Sequence, residues 1–371
     1  MNKALQCKVI CMETLAEKTL IAKDLIDLAS LYLPDGIQFG EQTTAEAMSG
    51  DAGFRSYYRL TTEPSILGVS APSDEEDWVA FLRVSRLLDS LGVKVPTIYV
   101  ADLQSGKLLI EDLGDDLFQD VLIENKFGPK TEQLYSGALA SIQKICACQE
   151  RPAWLPRYSR GLLRQEMELF PSWFVKQLLG YSVDASESKL INSSFTYLVT
   201  QAVEQPQGLV HRDYHCRNLL KTAGDAPGVI DFQDAVWGPI TYDLVSLSRD
   251  CYVRWEPSRV QSALESFVAS LRENQLVSED KVLKFPSWFE AMSAQRHLKV
   301  LGIFARLAIR DDKQSYLNNM PLALRYLLET CERDEQLQSF GDWIESKLVP
   351  LMEQQDWYVD WRKAGDDVTV W

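Results

Sequence analysis

Histidine is scarce in this chain, with three in 371 residues. The seven cysteines are odd in number and contain no C-x-x-C pair. Neither a structural zinc site nor a disulfide framework is expected from such spacing, and reduced thiols fit a cytoplasmic protein. Positive charge is also in short supply. The 38 Lys and Arg face 53 Asp and Glu, a formal net charge of −15, which argues against nucleic acid or an anionic membrane as partner. No apolar run is long enough to cross a bilayer. The stretch Met1–Cys11 is mildly apolar, is broken by Lys8 and has no small-residue cleavage site. It reads as an extension ahead of the first helix, not as a leader. There is no internal repeat and no low-complexity tract.

What is present centres on Gly208 to Asp250. His211-Arg212-Asp213 is followed five residues after the aspartate by Asn218, the H-R-D-x-x-x-x-N catalytic-loop pattern of protein kinases. The spacing has a chemical reason. Asp213 can take the proton of an attacking hydroxyl, while Asn218 offers an amide oxygen to Mg²⁺. Apolar pairs flank the loop, Leu209-Val210 before and Leu219-Leu220 after, so a turn between strands is expected. A third apolar run, Gly228-Val229-Ile230, delivers Asp231 at a strand end, where a second carboxylate would hold Mg²⁺ against nucleotide phosphates. The plain alternative, a hairpin with solvated turn residues, requires five coupled features to coincide.

Beyond Asp231 the pattern leaves the protein kinases. Phe232-Gln233 stands where they have Phe-Gly, no Ala-Pro-Glu follows, and Asp234-Ala235 leads to Gly238-Pro239-Ile240-Thr241-Tyr242-Asp243-Leu244. This block resembles the aminoglycoside phosphotransferase-like superfamily, the small-molecule branch of the kinase fold. HRDYHCRNLL, VIDFQDA and GPITYDL resemble, more narrowly, the anomeric kinases that phosphorylate N-acetylmuramate and N-acetylglucosamine at C1 in cell-wall recycling.

The resemblance implies an α+β, protein kinase-like two-lobed fold. Residues 1–39 would form an N-terminal extension and helix, 40–112 a small β-rich nucleotide-binding N-lobe, and 113–371 a larger, mostly helical C-lobe. ATP would lie between the lobes, Asp213 would be the catalytic residue, Asn218 and Asp231 would hold Mg²⁺, and Asp243 and His211 would brace the loop. A monomer is expected, acting on ATP and a small amino sugar.

The candidate nucleotide contacts are Gly53, Arg55, Arg59, Glu111 and Leu113. Gly53 and Arg55 belong to the small-residue stretch Ser49–Arg55, where the backbone can approach phosphates, although an ordinary hairpin turn would look alike. Leu108 to Gly114 reads as a strand running into the interlobe hinge, with acidic turn residues as the plain alternative. No lysine occurs between Asp51 and Val93, so the third-strand lysine that grips phosphates in kinases has no counterpart. The resembled family also lacks an obvious one. Arg55 and Arg59 are the substitutes considered, or else surface arginines.

For the acceptor, Glu166, Asp234, Arg249 and Arg306 are the candidates, the two arginines because N-acetylmuramate carries a lactyl carboxylate. A solvated helix face is the plain reading of each arginine. Helices are expected over Glu13–Leu33, Asp77–Leu91, from Thr131, and over Leu162–Leu179 with Pro171 as a kink or a new start. The polar stretch Ser182–Asn192 reads as a loop, and the tail from Trp357 either packs or frays. Two other functions stay open: a kinase of the same fold with another acceptor such as an aminoglycoside, and a non-catalytic nucleotide-binding regulator.

Overall fold

The computed structural model describes residues 3–48, 55–72, 77–126 and 128–370. Its contacts separate into two compact units, residues 1–89 with 94–114, and residues 90–93 with 115–371.

The first unit is built on short strands rich in β-branched and aromatic residues. Helix α1 (Lys3–Tyr32) comes first, so the N-terminal stretch continues into the expected helix. Five strands follow: β1 (Ala45–Ala47), β2 (Ser56–Leu60), β3 (Ile66–Ser70), β4 (Ile98–Asp102) and β5 (Lys107–Glu111). They form one antiparallel sheet in the order β1-β2-β3-β5-β4. Alternation along β2 and β3 turns Tyr58, Leu60 and Ile66 onto one face, where they pack with Leu25 and Ala29 of α1. Gly68 makes this contact possible. A Cβ there would lie 2.8 Å from the Leu25 side chain. Helix α2 (Trp78–Ser90), inserted between β3 and β4, buries Trp78, Phe81, Val84 and Leu88 at helical spacing.

The second unit is mostly helical: α3 (Phe118–Asn125), α4 (Pro129–Cys146), α5 (Arg160–Met167), a π-helical stretch (Phe170–Leu178) with Pro171 in its first turn, and α6 (Ala185–Glu204). The polar segment expected as a loop is therefore the front of α6. Asp184 accepts from the backbone of Ser186 and Glu187 while Glu187 accepts from Asp184 N, a capping box that starts the helix. Buried Ile191, Phe195, Leu198, Val199 and Ala202 then carry it.

Next come β6 (Gln207–Val210), β7 (Leu219–Leu220), β8 (Gly228–Val229) and β9 (Val236–Pro239), with β6 paired antiparallel to β9 and β7 to β8. Helix α7 (Tyr242–Ser248) is wholly buried. After it come β10 (Arg254–Trp255), α8 (Pro257–Glu273), α9 (Glu279–Val282), the long α10 (Phe285–Arg310) and α11 (Met320–Arg333). Helix α10 carries buried residues around most of its circumference and is the central beam of this unit. Gly302 lets it touch the start of the π-helical stretch, since a Cβ there would lie 2.5 Å from Leu169. The tail packs: Trp361 and Ala364 are buried, and β11 (Thr369–Val370) pairs parallel with β10. Among the described residues no helix is long and apolar enough to cross a membrane.

Candidate active site

The loop between β6 and β7 carries Asp213 and Asn218, and β8 delivers Asp231. Burial of the flanking leucines and valines makes the strand ends rigid, so the polar residues project from fixed points. Two unusual backbone conformations occur here, Arg212 at φ +79° and Asp231 at φ +61°. Neither residue is glycine, so surrounding bonds must hold them.

Those bonds are visible. Asp243, at the start of α7, accepts from His211 N at 2.8 Å and Arg212 N at 3.0 Å. The His211 ring lies 3.0 Å from Ile230 O, and its Nδ1 is 3.3 Å from Asp213 N. Both contacts are satisfied if Nε2 carries the proton and Nδ1 accepts. The imidazole thereby ties the Asp213 turn to the strand leading into Asp231. Burial raises the Asp243 carboxyl above its ordinary value, against His211 and the two N–H donors.

Asn218 Nδ2 donates to Asp213 O at 2.9 Å and lies 3.3 Å from Asp231 Oδ2, while Gln233 donates to Asp231 Oδ1 at 2.9 Å. The predicted catalytic and metal residues thus form one cluster. A carboxylate and an amide oxygen are hard donors, which fits a small divalent cation that takes its remaining ligands from phosphate and water. Among the described residues no group of three or more His, Cys, Asp and Glu could hold a metal unaided.

Beneath the loop lies a buried set of charges. Arg296 of α10 donates to Arg212 O at 2.9 Å and sits 3.7 Å from Asp213 Oδ1. Lys299, one turn further, is 3.4 Å from Glu166 and 3.3 Å from the Tyr242 hydroxyl. Burial would raise the Asp213 carboxyl, but Lys299 and Arg296, with His215 and Arg212, hold it well below the usual carboxylate range. Burial likewise opposes the charge on Lys299, and Tyr242, Asp213 and Glu166 more than offset it. Sequence alone shows both cations on this helix but assigns them no role at the loop. Their signal is weak, two basic residues at i, i+3 within an apolar helix.

Of the acceptor candidates, Glu166 is buried and bound to Arg212, to Lys299 and to the Tyr158 hydroxyl. Its carboxylate is answered inside the fold and underpins the loop. Arg249 is buried too, and its guanidinium bonds to both oxygens of Glu290 and to Thr330. Asp234 stands beside Arg212, which donates to its carbonyl at 3.2 Å. Partial desolvation raises its carboxyl, Arg212 opposes this, and Asp213 and Asp231 add to the rise. Arg306 is half-buried on α10.

Of the nucleotide candidates, Gly53 lies outside the described residues. Arg55 lies over the rings of Phe81 and Trp78, at 5.0 and 5.7 Å. Arg59 makes a paired contact with Asp112, at 2.6 and 3.1 Å. Glu111 accepts from Lys94 at 2.6 Å and from Thr97, so its side chain is engaged, and Leu113 follows β5 directly. Strand β3 carries no lysine.

Four likenesses agree with this geometry. A profile of the phosphotransferase enzyme family matches residues 44–273. An N-acetylmuramate/N-acetylglucosamine kinase of Pseudomonas aeruginosa is 36% identical over 86% of this chain and 93% of its own. One of the same name from Neisseria meningitidis serogroup B is 36% identical over 78% of this chain and 86% of its own. Among solved structures, a choline kinase from Cryptosporidium parvum superposes with a TM-score of 0.57 at 13% identity, over 90% of this chain and 99% of that one.

Proposed function

The chain belongs to the phosphotransferase enzyme family, and from that premise we propose that it transfers the γ-phosphoryl of ATP to the anomeric hydroxyl of N-acetylmuramate or N-acetylglucosamine. The observation that carries the chemistry is the cluster of Asp213, Asn218 and Asp231, linked at 2.9 and 3.3 Å. The acceptor follows the relatives that are 36% identical to this chain over the aligned residues.

In this reading the bond from the γ-phosphorus to ADP breaks, one to the sugar oxygen forms, and the hydroxyl proton passes to Asp213. An Asp213 held at unusually low basicity is a weak base, so its first task is to orient the hydroxyl. An anomeric hydroxyl, more acidic than an ordinary alcohol, suits such a partner. Asn218 and Asp231 would hold Mg²⁺. The bound ion would neutralise phosphate charge. Asp234 and Arg306 are proposed to face the sugar. Glu166 acts through Arg212 and Lys299, and Arg249 serves an internal ion pair. For the nucleotide, Gly53, Arg55, Arg59 and the backbone near Glu111 and Leu113 stay proposed. Metabolically the product, a sugar 1-phosphate, would enter cell-wall recycling.

The test is ADP release from Mg-ATP with N-acetylmuramate, N-acetylglucosamine and kanamycin, followed by phosphorus NMR of the product. Phosphate on the anomeric carbon supports the proposal. Turnover with kanamycin alone would move the acceptor to the aminoglycosides.

A further inference from the structure

Away from the catalytic cluster, helices α8, α10 and α11 enclose a cavity of about 270 Å³. Residue spacing builds its walls. Tyr326, Glu329 and Arg333 stand at i, i+3 and i+7 on α11, and Val260 and Leu264 at i and i+4 on α8. Trp255 and Phe289 complete an apolar side. The polar side is a run of ion pairs. Arg249 holds both oxygens of Glu290 at 2.5 and 2.8 Å, and Arg333 lies 3.3 Å from Glu290 and 3.7 Å from Glu329. Arg325, one turn earlier on α11, binds Glu329 at 2.9 Å. Both carboxylates are therefore answered.

Arg254, which also lines the cavity, is the exception among these charges. It is 8% exposed, and its ion-pair partner Glu329 is 3.7 Å away, beyond hydrogen-bond reach. Among the described residues its guanidinium donates no hydrogen bond. Nε is closed off from solvent, whereas the two terminal nitrogens are not. The stem is packed against the C-terminal tail, since a Cβ on Gly365 would lie 3.2 Å from Arg254 Cδ. A buried guanidinium with no acceptor is costly. Three arginines and two glutamates line the cavity, which leaves one positive charge in excess. Unused donors, surplus positive charge and an apolar wall describe their complement, an anionic head on an apolar body.

We propose that this cavity is a binding site for a small organic oxyanion, a carboxylate or a phosphate ester, whose head is taken by the terminal nitrogens of Arg254. The planar guanidinium matches either head, because both offer two oxygens to its parallel N–H bonds. The body lies against Trp255 and Phe289. None of this uses Asp213, Asn218 or Asp231, so the site stands whatever the acceptor of the transferred phosphoryl.

Calorimetry with phenyl phosphate, benzoate and, as a neutral control, benzyl alcohol tests this on the full chain, with Mg-ADP saturating the nucleotide site. Saturable binding of one equivalent of either anion is expected, without binding of benzyl alcohol, and the anion that binds identifies the head. Arg254→Met keeps the stem against Gly365 and removes the donors. It should weaken the anion at least about tenfold and leave ADP affinity and Tm unchanged, while Arg254→Lys recovers part of the loss. Should Arg254→Met fail to fold, Glu329→Gln decides. With the carboxylate beside Arg254 neutralised, the anion should bind severalfold tighter. The proposal is overturned if neither anion saturates at millimolar concentration, which leaves Arg254 to water. It is overturned equally if Arg254→Met binds the anion as the wild type does, or if Glu329→Gln leaves the affinity unchanged or lower.

Discussion

Asp213 is a carboxylate with two masters. Burial favours its protonated form, and the cations beneath it favour the charged form and prevail. The sign of the consequence is fixed. A group depressed below its ordinary 3.8 is ionised throughout the range above that value, and its stabilising charge interactions are lost only as pH falls through the lower folded value. No acid limb in kcat/KM above about pH 4 should therefore come from Asp213. Lys299→Met removes one of the cations while leaving Glu166 its partner Arg212. It should move the acid limb upward by about one pH unit, read from a pH–rate profile. Asp213→Asn should lower kcat by at least about a hundredfold while ATP binding persists, as measured by calorimetry.

Elements explain why some of this was legible in the sequence and some was not. The loop between β6 and β7 was readable because its chemistry is local. Asp213 and Asn218 share one short loop flanked by apolar runs, and two such runs, paired as β7 and β8, lead from Asn218 to Asp231. Asp243 was readable through the resemblance, and the structure supplies its bonds to His211 and Arg212. Arg296, Lys299 and Glu166 are different. Each sits on a helix distant in sequence from the loop, and only tertiary packing decides which side of α5 or α10 meets it. The loop expected at Ser182–Asn192 failed for another reason. Polar composition was weighed above the D-x-x-E start signal, and the buried stripe of α6 begins only at Glu187. At this scale Gly302 is the point to press. Gly302→Ala would force α10 away from Leu169, costing about 1–3 kcal/mol by overpacking, to be measured by urea unfolding. Because Lys299 lies one turn earlier on the same helix, turnover should fall as well.

For the whole molecule, His297 makes stability a function of mild acidity. It is fully buried, with Nε2 3.1 Å from Arg249 O and Nδ1 near Ser293. Burial, reinforced by Arg296, pushes its pKa down to about 3 from 6.5. Between those values the unfolded chain binds a proton that the folded chain refuses, so stability must fall as pH drops below 6.5. The slope from this one group is at most about 1.4 kcal/mol per pH unit. Chemical denaturation at pH 7 and pH 5.5 should show the loss, and His297→Gln should flatten it. That window lies above the ordinary carboxylate range, so the histidine contribution can be read separately from the acidic groups.

The placement of Arg296 and Lys299 on α10 has a meaning for anyone transplanting the reaction. The loop that carries Asp213 and the helix whose cations lower its carboxyl are different stretches of chain, joined only by folding. A loop moved alone into another scaffold would arrive with every recognisable residue and with its aspartate at ordinary acidity. The motif travels as text, but the electric field in which it operates does not travel with it.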